Sequence, residues 1–396
     1  MMIQKLLVYI INVCQFDNVL NCCDPFRYNF YNQSIWHCFC FNLFRSNVAP
    51  NKSLSPMAKI HFLNVDEGDC SIIQHDNGKV TMIDICCGNI IEQQPSIVAF
   101  CKESANSVKG NFNMKAYPTN PVEYIKRWHM PSIFRYIQTH PDMDHMDGLK
   151  NLSNTISIMN FWDTANTKVQ SFDEHGNCGR YKKEDWDCYQ RLRNSVDNPK
   201  SLIFYDGTVA KYFAEDDNGV LSDDYLKILS PTKELIKSAE SAEDWNDSSY
   251  VILYCVQGRK ILFCGDAGMG TINHLLEKHQ TDISDLDVLI APHHGRDSDK
   301  DFSFLDVMKP KLTLVGNAKC QHLAYNEWNS RGLEHIQNNQ GANILIDIHN
   351  NGEMHVSCSN KSFADAYRLE YFKKVGAIKD SRNMGYWCLH YREVGK

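Results

Sequence analysis

Four apolar, β-prone runs of this sequence each end in, or lead directly into, an acidic residue or a histidine. Asp84 closes VTMID, His140 closes SIFRYIQTH and Asp266 closes KILFCGD, while His293 and His294 follow VLIAP. In layered α/β folds, loops at the ends of strands gather side chains from distant parts of the chain. The pattern therefore predicts one site built from all four runs.

The order of the runs predicts two sheets packed on each other with helices outside. Strand-like runs cover residues 59–65, 70–75, 80–85, 133–139, 250–256, 260–264, 288–291, 312–315 and 343–347. Helical patterns cover residues 121–127, 184–195, 233–243, 271–279 and 328–338. Strands followed by helices, repeated twice, are typical of such a layered arrangement. The more polar residues, 150 to about 245, are expected to form an insertion.

Residues 1–56 differ from the rest of the chain. They contain five cysteines, ten aromatic residues and only six charged residues, with no sustained period of 2 or 3.6. Only Lys5 supplies positive charge to the first apolar run, and no small-residue cleavage site follows, so a secretory signal is not indicated. We interpret residues 1–56 as an extension outside the folded domain, with Met57 as the functional start and residues 57–396 as the domain.

Composition narrows the class of protein. The formal net charge of −7 argues against a strongly basic nucleic-acid coat. The sixteen cysteines do not form a spaced disulfide framework, and pairs such as Cys86 and Cys87 are adjacent in sequence, which predicts a reducing, cytoplasmic location. No apolar run approaches the roughly 20 residues that cross a bilayer, so no membrane association is expected. The oligomeric state is left open.

The densest set of candidate ligands lies in IQTHPDMDHMDGL, residues 137–149. Pro141 and Asp142 could simply open a turn and cap a helix. Turns do not usually need two imidazoles and two carboxylates together, whereas a short loop can direct alternate side chains to two metal ions. We therefore interpret four residues of this loop as ligands of a dinuclear metal site: His140, Asp142, Asp144 and His145.

Two later runs would complete that site. Asp266 would be the carboxylate that bridges the two ions. One histidine of the pair His293 and His294 would complete the shell of the second ion.

Taken together, these motifs resemble the metallo-β-lactamase superfamily. The resemblance is carried by HPDMDH, FCGDAG, APHHG, FLNVDEGDCSII and MIDICCGN. Within the superfamily it is closest to the hydrolase domain of ComEC-type competence proteins and their soluble relatives. It covers about residues 59 to 352, without a specific match over 150–245. It implies an α/β fold, the αββα four-layer metallo-β-lactamase sandwich, with residues 57–396 as a hydrolase domain.

The resemblance also implies roles for the candidate ligands. His140 and Asp142 would hold the first ion, Asp144 and His145 the second, and Asp266 both. Asp144, Asp266 and His294 are the expected catalytic residues. The choice between His293 and His294 stays open: superfamily members often place the ligand just before glycine, which favours His294, while the strand-end position favours His293. The other histidine would donate a proton to the substrate or bind its oxyanion.

Further positions match the family less directly. Asn246 and Ser248, in WNDSSYVIL, match its Asn and Ser and are expected to bind substrate, as is His322. Asp84 is expected to orient a ligand histidine without touching an ion. Asp142 stands where the superfamily more often has histidine, and a carboxylate there makes manganese a realistic occupant beside zinc.

The expected activity is hydrolysis by water that two divalent ions activate, with a phosphodiester in nucleic acid or a nucleotide as substrate. The same ligands would suit a carboxylic ester, thioester or lactone. An inactive binding protein of this fold would have lost ligands, and all the expected positions here carry competent side chains. Five histidines match no motif and are expected to be ordinary surface or core residues: His274, His279, His335, His349 and His355.

Overall fold

The structure, a computed structural model, describes residues 56–93, 108–211, 213, 223–298, 300–319, 322–374, 376–380, 383 and 385–392. Residues 1–55 lie outside these ranges, so the interpretation of the N-terminal segment stays a prediction. Within the described ranges, no helix has the length and apolar character needed to cross a membrane.

Eighteen strands are described. They are β1 Pro56–Phe62, β2 Ser71–Gln74, β3 Val80–Ile83, β4 Ile133–Ile137, β5 Ile158–Asp163, β6 Asn177–Cys178, β7 Tyr181–Lys182, β8 Lys200–Ile203, β9 Tyr225–Ser230, β10 Val251–Val256, β11 Arg259–Phe263, β12 Val288–Ile290, β13 Leu312–Val315, β14 His335–Gln337, β15 Ile344–His349, β16 Met354–Cys358, β17 Ile378–Lys379 and β18 Trp387–Arg392.

Ten α-helices accompany the strands in the described ranges. They are α1 Pro121–Arg127, α2 Leu149–Thr155, α3 Lys183–Arg193, α4 Lys233–Ala242, α5 Met269–Lys278, α6 Gln280–Ile283, α7 Phe304–Met308, α8 Tyr325–Ser330, α9 Asn338–Gly341 and α10 Lys361–Phe372. Short 3-10 turns at Met143–His145, Trp245–Ser248 and Pro292–Gly295 lie in the loops that carry the candidate site.

Two large sheets organise the domain. The ten-stranded sheet has the order β17-β18-β16-β15-β1-β2-β3-β4-β5-β8, and the six-stranded sheet has the order β14-β13-β12-β11-β10-β9. The pairs from β3 through β4 and β5 to β8 are parallel, as are those from β11 through β12 and β13 to β14. The carboxyl ends of neighbouring parallel strands lie at the same edge of a sheet, so in each sheet several of these ends lie side by side.

Three apolar clusters separate four layers. One cluster joins the facing sides of the two sheets, with Ile60, Ile252 and Ile346 fully buried in it. A second lies between the ten-stranded sheet and α1, α2 and α3, and a third lies between the six-stranded sheet and helices that include α5 and α7. Burial of these apolar surfaces is the main force that holds the layers together. The predicted αββα sandwich is confirmed.

Two local expectations need correction. The helix predicted over 328–338 is wrong beyond Ser330, because residues 335–337 form β14, which pairs in parallel with β13. In the stretch expected to be an insertion, β5 and β8 extend the ten-stranded sheet and β9 is the edge of the six-stranded sheet. Short strands with mixed polarity at sheet edges carry a weak period-2 signal, because only part of each face is buried.

Glycine at two places lets loops approach closely. A Cβ on Gly68 would lie 2.2 Å from the carbonyl oxygen of Asp144, so the turn after β1 packs directly on the HPDMDH loop. Gly148, with φ of +102°, begins α2 against the backbone of Gly88. These contacts hold the turns after β1 and β3 against the HPDMDH loop and the start of α2.

Candidate metal centre

The parallel strands bring the predicted ligands to one place. Asp84 directly follows β3, and His140 follows β4 by three residues, with Ile83 paired to Ile137 in register. In the other sheet, Asp266 follows β11 and the histidine pair follows β12, again a parallel pair. The two sheets face each other, so their strand ends meet at one edge of the sandwich.

Asp266 lies in the middle of the cluster and presents each carboxylate oxygen to a different set of groups. Its Oδ1 is 3.2 Å from His145 Nε2 and 3.4 Å from His294 Nε2. Its Oδ2 is 4.0 Å from His140 Nε2 and 3.6 Å from His293 Nε2. A carboxylate placed in this way can serve two ions at once.

The Oδ1 side of the cluster forms a compact group. Potential ligand atoms of Asp144, His145, Asp266 and His294 all lie within 4.8 Å of one another. The Oδ2 side is more open: His140 Nε2 is 3.8 Å from Asp142 Oδ2, and the Asp142 side chain is 32% exposed. We call these the Oδ1 half and the Oδ2 half of the centre.

Three imidazoles are held by hydrogen bonds on the ring nitrogen that faces away from the cluster. His145 Nδ1 donates to Asp84 Oδ2 at 2.7 Å, and His294 Nδ1 donates to Asp69 Oδ1 at 3.1 Å. Thr139 Oγ1 donates to Asp84 Oδ2 at 2.5 Å and lies 3.0 Å from His140 Nδ1, from which it can accept. Each arrangement favours the proton on Nδ1, so that the neutral ring would direct its Nε2 lone pair into the cluster.

Those Nε2 atoms lack other partners. His140 Nε2, His145 Nε2, His294 Nε2 and Asp266 Oδ1 are buried and, among the described residues, make no hydrogen bond of good geometry. Buried polar atoms are normally satisfied, and imidazole nitrogen with carboxylate oxygen is a donor set suited to zinc and manganese. The residues therefore fit divalent metal ions.

The charge balance supports the same conclusion. Burial alone would lower the pKa of His294, but Asp266 and Asp69 outweigh it and raise that pKa to about 10. Burial alone would raise the pKa of Asp266, but His294 and His145 hold it well below its usual range. The cluster thus compensates its buried carboxylate with positive charge on imidazoles, a role that bound cations can take over with release of protons.

His293 has different surroundings from the other three histidines. Its Nδ1 lies 3.2 Å from Ser298 Oγ and 3.4 Å from Lys300 Nζ. Its Nε2 lies 3.4 Å from Arg296 Nη1 and 3.6 Å from Asp266 Oδ2, so cations approach both ring nitrogens. Burial lowers the pKa of His293 to about 4. Asp266 opposes this shift, while Lys300 and Arg296 add to it. Among the described residues, no carboxylate contacts the Nδ1 of this ring in the way Asp69 contacts that of His294.

The backbone of the histidine pair is also unusual. His293 and His294 have φ of 53° and 57°, and Asp84 has φ of 56°. Residues other than glycine adopt this left-handed region uncommonly, at a cost on the order of 1–3 kcal/mol each, mostly at functional sites. The surrounding contacts must hold the strand ends in this conformation.

Three cations contact the centre. Lys168 Nζ pairs with Asp142 Oδ1 at 2.5 Å, while Arg296 and Lys300 reach His293. Burial alone would raise the pKa of Asp142, but His140 and Lys168 hold that pKa below its usual value. The Oδ2 half therefore contains fixed positive charge beside its ligands.

The predicted substrate-binding residues lie less directly at the cluster. Ser248 is fully buried and its hydroxyl donates to the carbonyl oxygen of Trp245 at 2.7 Å. Asn246 is half-buried in the same turn. His322 is exposed, and its backbone joins the loop of the histidine pair by accepting from Asp297 N. Their role in substrate binding stays a prediction.

Sequence reasoning missed several residues that contact the candidate ligands, among them Asp69, Thr139 and Lys168. Asp69 lies in the turn DEGD between two strand-like runs and closes neither, so it carries only a weak form of the strand-end signal that marks Asp84. Lys168 gives no such signal, because it reaches Asp142 from a separate loop after β5. Only the packing of that loop brings the two together.

A cavity of about 1070 Å³ is lined by residues that include Asn317, Ala318, Lys109 and Lys115, but by none of the predicted ligands. Asn317 in its lining directly follows Gly316, which packs on His294. The assignment of the centre rests on the ligand chemistry and not on cavity size.

No family model matches the sequence. No curated protein matches it. Among solved structures, the chain is similar to CmlA, a diiron β-hydroxylase from Streptomyces venezuelae, at 10% identity and a TM-score of 0.40, over 74% of this chain and 55% of that one. It thus spans just over half the length of CmlA.

Two further neighbours are a diphosphatase from the PhnP family and Rm3 metallo-β-lactamase. The diphosphatase has 13% identity and a TM-score of 0.33, over 70% of this chain and 94% of that one. The metallo-β-lactamase has 11% identity and a TM-score of 0.30, over 61% and 78%. Neither is a ComEC-type protein, so that finer resemblance stays a prediction.

Proposed function

We propose that this chain is a dinuclear metal-dependent hydrolase that cleaves a phosphodiester in nucleic acid or in a nucleotide. The observation that carries the proposal is the position of Asp266, whose two oxygens face two separate sets of ligands. A single structural metal would need only one such set.

Each half of the centre would hold one ion, zinc or manganese. Asp144, His145 and His294 would hold the second ion with Asp266 Oδ1. His140 and Asp142 would hold the first with Asp266 Oδ2. We assign His294 and not His293 as the ligand, because Asp69 directs its Nε2 lone pair into the cluster.

Two bound ions would lower the pKa of water and neutralise charge that develops on the substrate oxygens. The side chains of the protein would supply the rest. Asp84, Asp69 and Thr139 hold the three ligand imidazoles in place, which limits reorganisation during the reaction. His293, neutral and more exposed than His294, would face the substrate.

The fixed cations favour an anionic substrate. Lys168, Arg296 and Lys300 all lie on the Oδ2 half, where they touch Asp142 and His293. A phosphodiester carries a negative charge that these groups can bind, whereas a neutral ester, thioester or lactone does not. The resemblance to ComEC-type hydrolase domains supports the same substrate class.

Turnover by the full-length protein tests the proposal. The protein would be stripped of metal, reloaded with zinc or manganese, and supplied with bis-para-nitrophenyl phosphate, single- and double-stranded DNA, and para-nitrophenyl acetate. Metal-dependent cleavage of the phosphodiesters, with little activity on the acetate, is the expected result. Asp187→Ala, which removes an exposed carboxylate on α3, is a matched control for Asp266→Ala.

Two outcomes would change the proposal. Protein that holds two ions but cleaves only esters, thioesters or lactones would replace the substrate class and keep the centre. Protein that holds two ions and hydrolyses nothing would favour the binding-protein alternative.

A further inference from the structure

A second cluster of potential ligands lies apart from the centre and shares no residue with it. Asp206 lies in the loop after β8, His274 lies on α5, and His279 directly follows that helix. Asp206 Oδ2 is 3.0 Å from His274 Nε2, and Asp206 Oδ1 is 2.9 Å from His279 Nε2. Ligand atoms of the three residues all lie within 4.8 Å of one another.

The two contacts of Asp206 differ, because His274 Nε2 and Asp206 Oδ2 form an ordinary hydrogen bond at 3.0 Å whereas the contact with His279 does not. Asp206 Oδ1 and His279 Nε2 are close, yet both are buried and neither makes a hydrogen bond of good geometry among the described residues. Two ligands of one tetrahedral zinc ion lie roughly 3.4 Å apart when the bonds are about 2.1 Å long. The observed separations of 2.9 and 3.0 Å need only small adjustments to reach that spacing.

A carboxylate supports the His279 ring from behind. Asp282 Oδ2 lies 3.2 Å from His279 Nδ1, and Lys227 holds both oxygens of Asp282 at 2.7 Å. Donation from Nδ1 to Asp282 leaves the Nε2 lone pair directed at Asp206. Metal-binding histidines usually donate their other ring nitrogen to a carboxylate or carbonyl in this way.

The loop that carries Asp206 is anchored independently of the histidines. Asp206 N donates to the carbonyl oxygen of Pro231 at 2.8 Å, and Gly207 N donates to that of Ile228 at 3.2 Å. The Asp206 carboxylate is therefore held facing the end of α5 by β9 and the residue after it. The position of the Asp206 carboxylate therefore does not depend on its contacts with His274 and His279, which a bound ion would replace.

We propose that Asp206, His274 and His279 bind one zinc ion, separate from the proposed dinuclear centre. The side chains are 12% to 21% exposed, so water can complete the coordination. The ion would join the loop after β8 to the end of α5, the helix that begins three residues after Asp266. Both histidines were expected to be ordinary residues, although four residues lie between them, a spacing that zinc-binding histidine pairs also use.

Metal content tests the site. The full-length protein would be stripped with a chelator, loaded with excess zinc, desalted and measured by inductively coupled plasma mass spectrometry. We expect one ion per chain fewer in Asp206→Asn, which keeps the size and hydrogen-bonding ability of the side chain and removes its charge. Zinc affinity at this site should fall by roughly 100-fold or more, because even the loss of a group behind a ligand costs about 10- to 100-fold.

Two controls separate this site from the proposed centre. His175→Asn, at an exposed histidine, should retain all the zinc of the unaltered protein. The same comparison in an Asp266→Ala background should still show the loss of one ion, so failure of the dinuclear centre would not hide the result.

Equal zinc content in the unaltered protein and Asp206→Asn, with or without Asp266→Ala, would overturn the proposal and leave a hydrogen-bonded carboxylate between two imidazoles. If circular dichroism shows that Asp206→Asn does not fold, His279→Gln supplies the same comparison. Zinc should also raise the melting temperature of the Asp266→Ala protein, and this rise should vanish when His279→Gln is added.

Discussion

The two halves of the metal centre share Asp266 but differ in how completely the protein builds them. In the Oδ1 half, His145 and His294 are buried and each is held by its own carboxylate, Asp84 or Asp69. In the Oδ2 half, the separations between the Asp266 oxygen and the imidazoles are longer, 3.6 and 4.0 Å against 3.2 and 3.4 Å. Lys168 also occupies an oxygen of Asp142. Under the proposed function, the Oδ1 half would be preformed for its ion, and the Oδ2 half would be where an ion, Lys168 and an anionic substrate meet.

Asp266→Ala should have the largest effect, because it removes the one group that belongs to both halves. We expect loss of both ions and a fall in turnover of about 1000-fold or more. Metal content and phosphodiesterase activity would be measured together. Unchanged activity in this variant would sink the dinuclear mechanism.

The histidine pair tests the assignment of ligands directly. His294→Ala should lose the ion of the Oδ1 half and most of the activity. His293→Ala should keep both ions and lose only about tenfold in turnover, as expected for a group that meets the substrate. Metal analysis of the two variants side by side decides the point, and the reverse pattern would show that the strand-end histidine is the ligand.

The carboxylates behind the Oδ1 half should matter less than the ligands themselves. Asp69→Asn should weaken binding of the ion in this half by about 10- to 100-fold, because the amide no longer favours the protonated Nδ1 of His294. Competition with a chromophoric chelator measures the change. Equal affinity in Asp69→Asn and the unaltered protein would mean that burial alone positions the imidazole.

Lys168→Met tests what Lys168 does in the Oδ2 half, where its ammonium group pairs with Asp142. Removal of the ammonium frees Asp142, so the ion of the Oδ2 half should bind more tightly. The KM for phosphodiesters should rise by about tenfold with a smaller change in kcat, because a substrate contact is lost. Titration of the protein with manganese and steady-state kinetics measure the two effects. A variant with weaker metal binding would show that Lys168 supports the site.

Acid conditions affect the fold separately from the centre, through His61. Burial lowers the pKa of this ring to about 3, below its ordinary value of 6.5, while a hydrogen bond to Gln74 opposes the shift. The unfolded chain therefore binds a proton before the folded one, so stability is complete above pH 6.5 and falls as pH drops towards 3. The loss is at most about 5 kcal/mol.

His61→Gln should flatten that acid dependence without altering metal binding at neutral pH. Urea unfolding between pH 7 and pH 4 measures it. If the free energy of unfolding of this variant falls with pH as steeply as that of the unaltered protein, groups other than His61 cause the acid sensitivity. Loss of ions from the two halves would then be the first cause to test.

The sequence was informative where chemistry follows local pattern. His140, Asp142, Asp144 and His145 lie in one loop, and Asp266 follows a strongly apolar strand, so their residue types and positions predicted a shared site. The same patterns predicted the layered sandwich. Edge strands such as β8 and β14 escaped detection because they are short and only partly buried.

What the sequence alone determined about this protein is therefore the set of candidate ligands and the strand ends near which they lie. The tertiary structure decided which groups pair across long separations: Asp69 with His294, Lys168 with Asp142, and Asp206 with His274 and His279. These pairs depend on how the sheets, loops and helices pack. Such packing is set by burial over the whole domain, which no local spacing encodes.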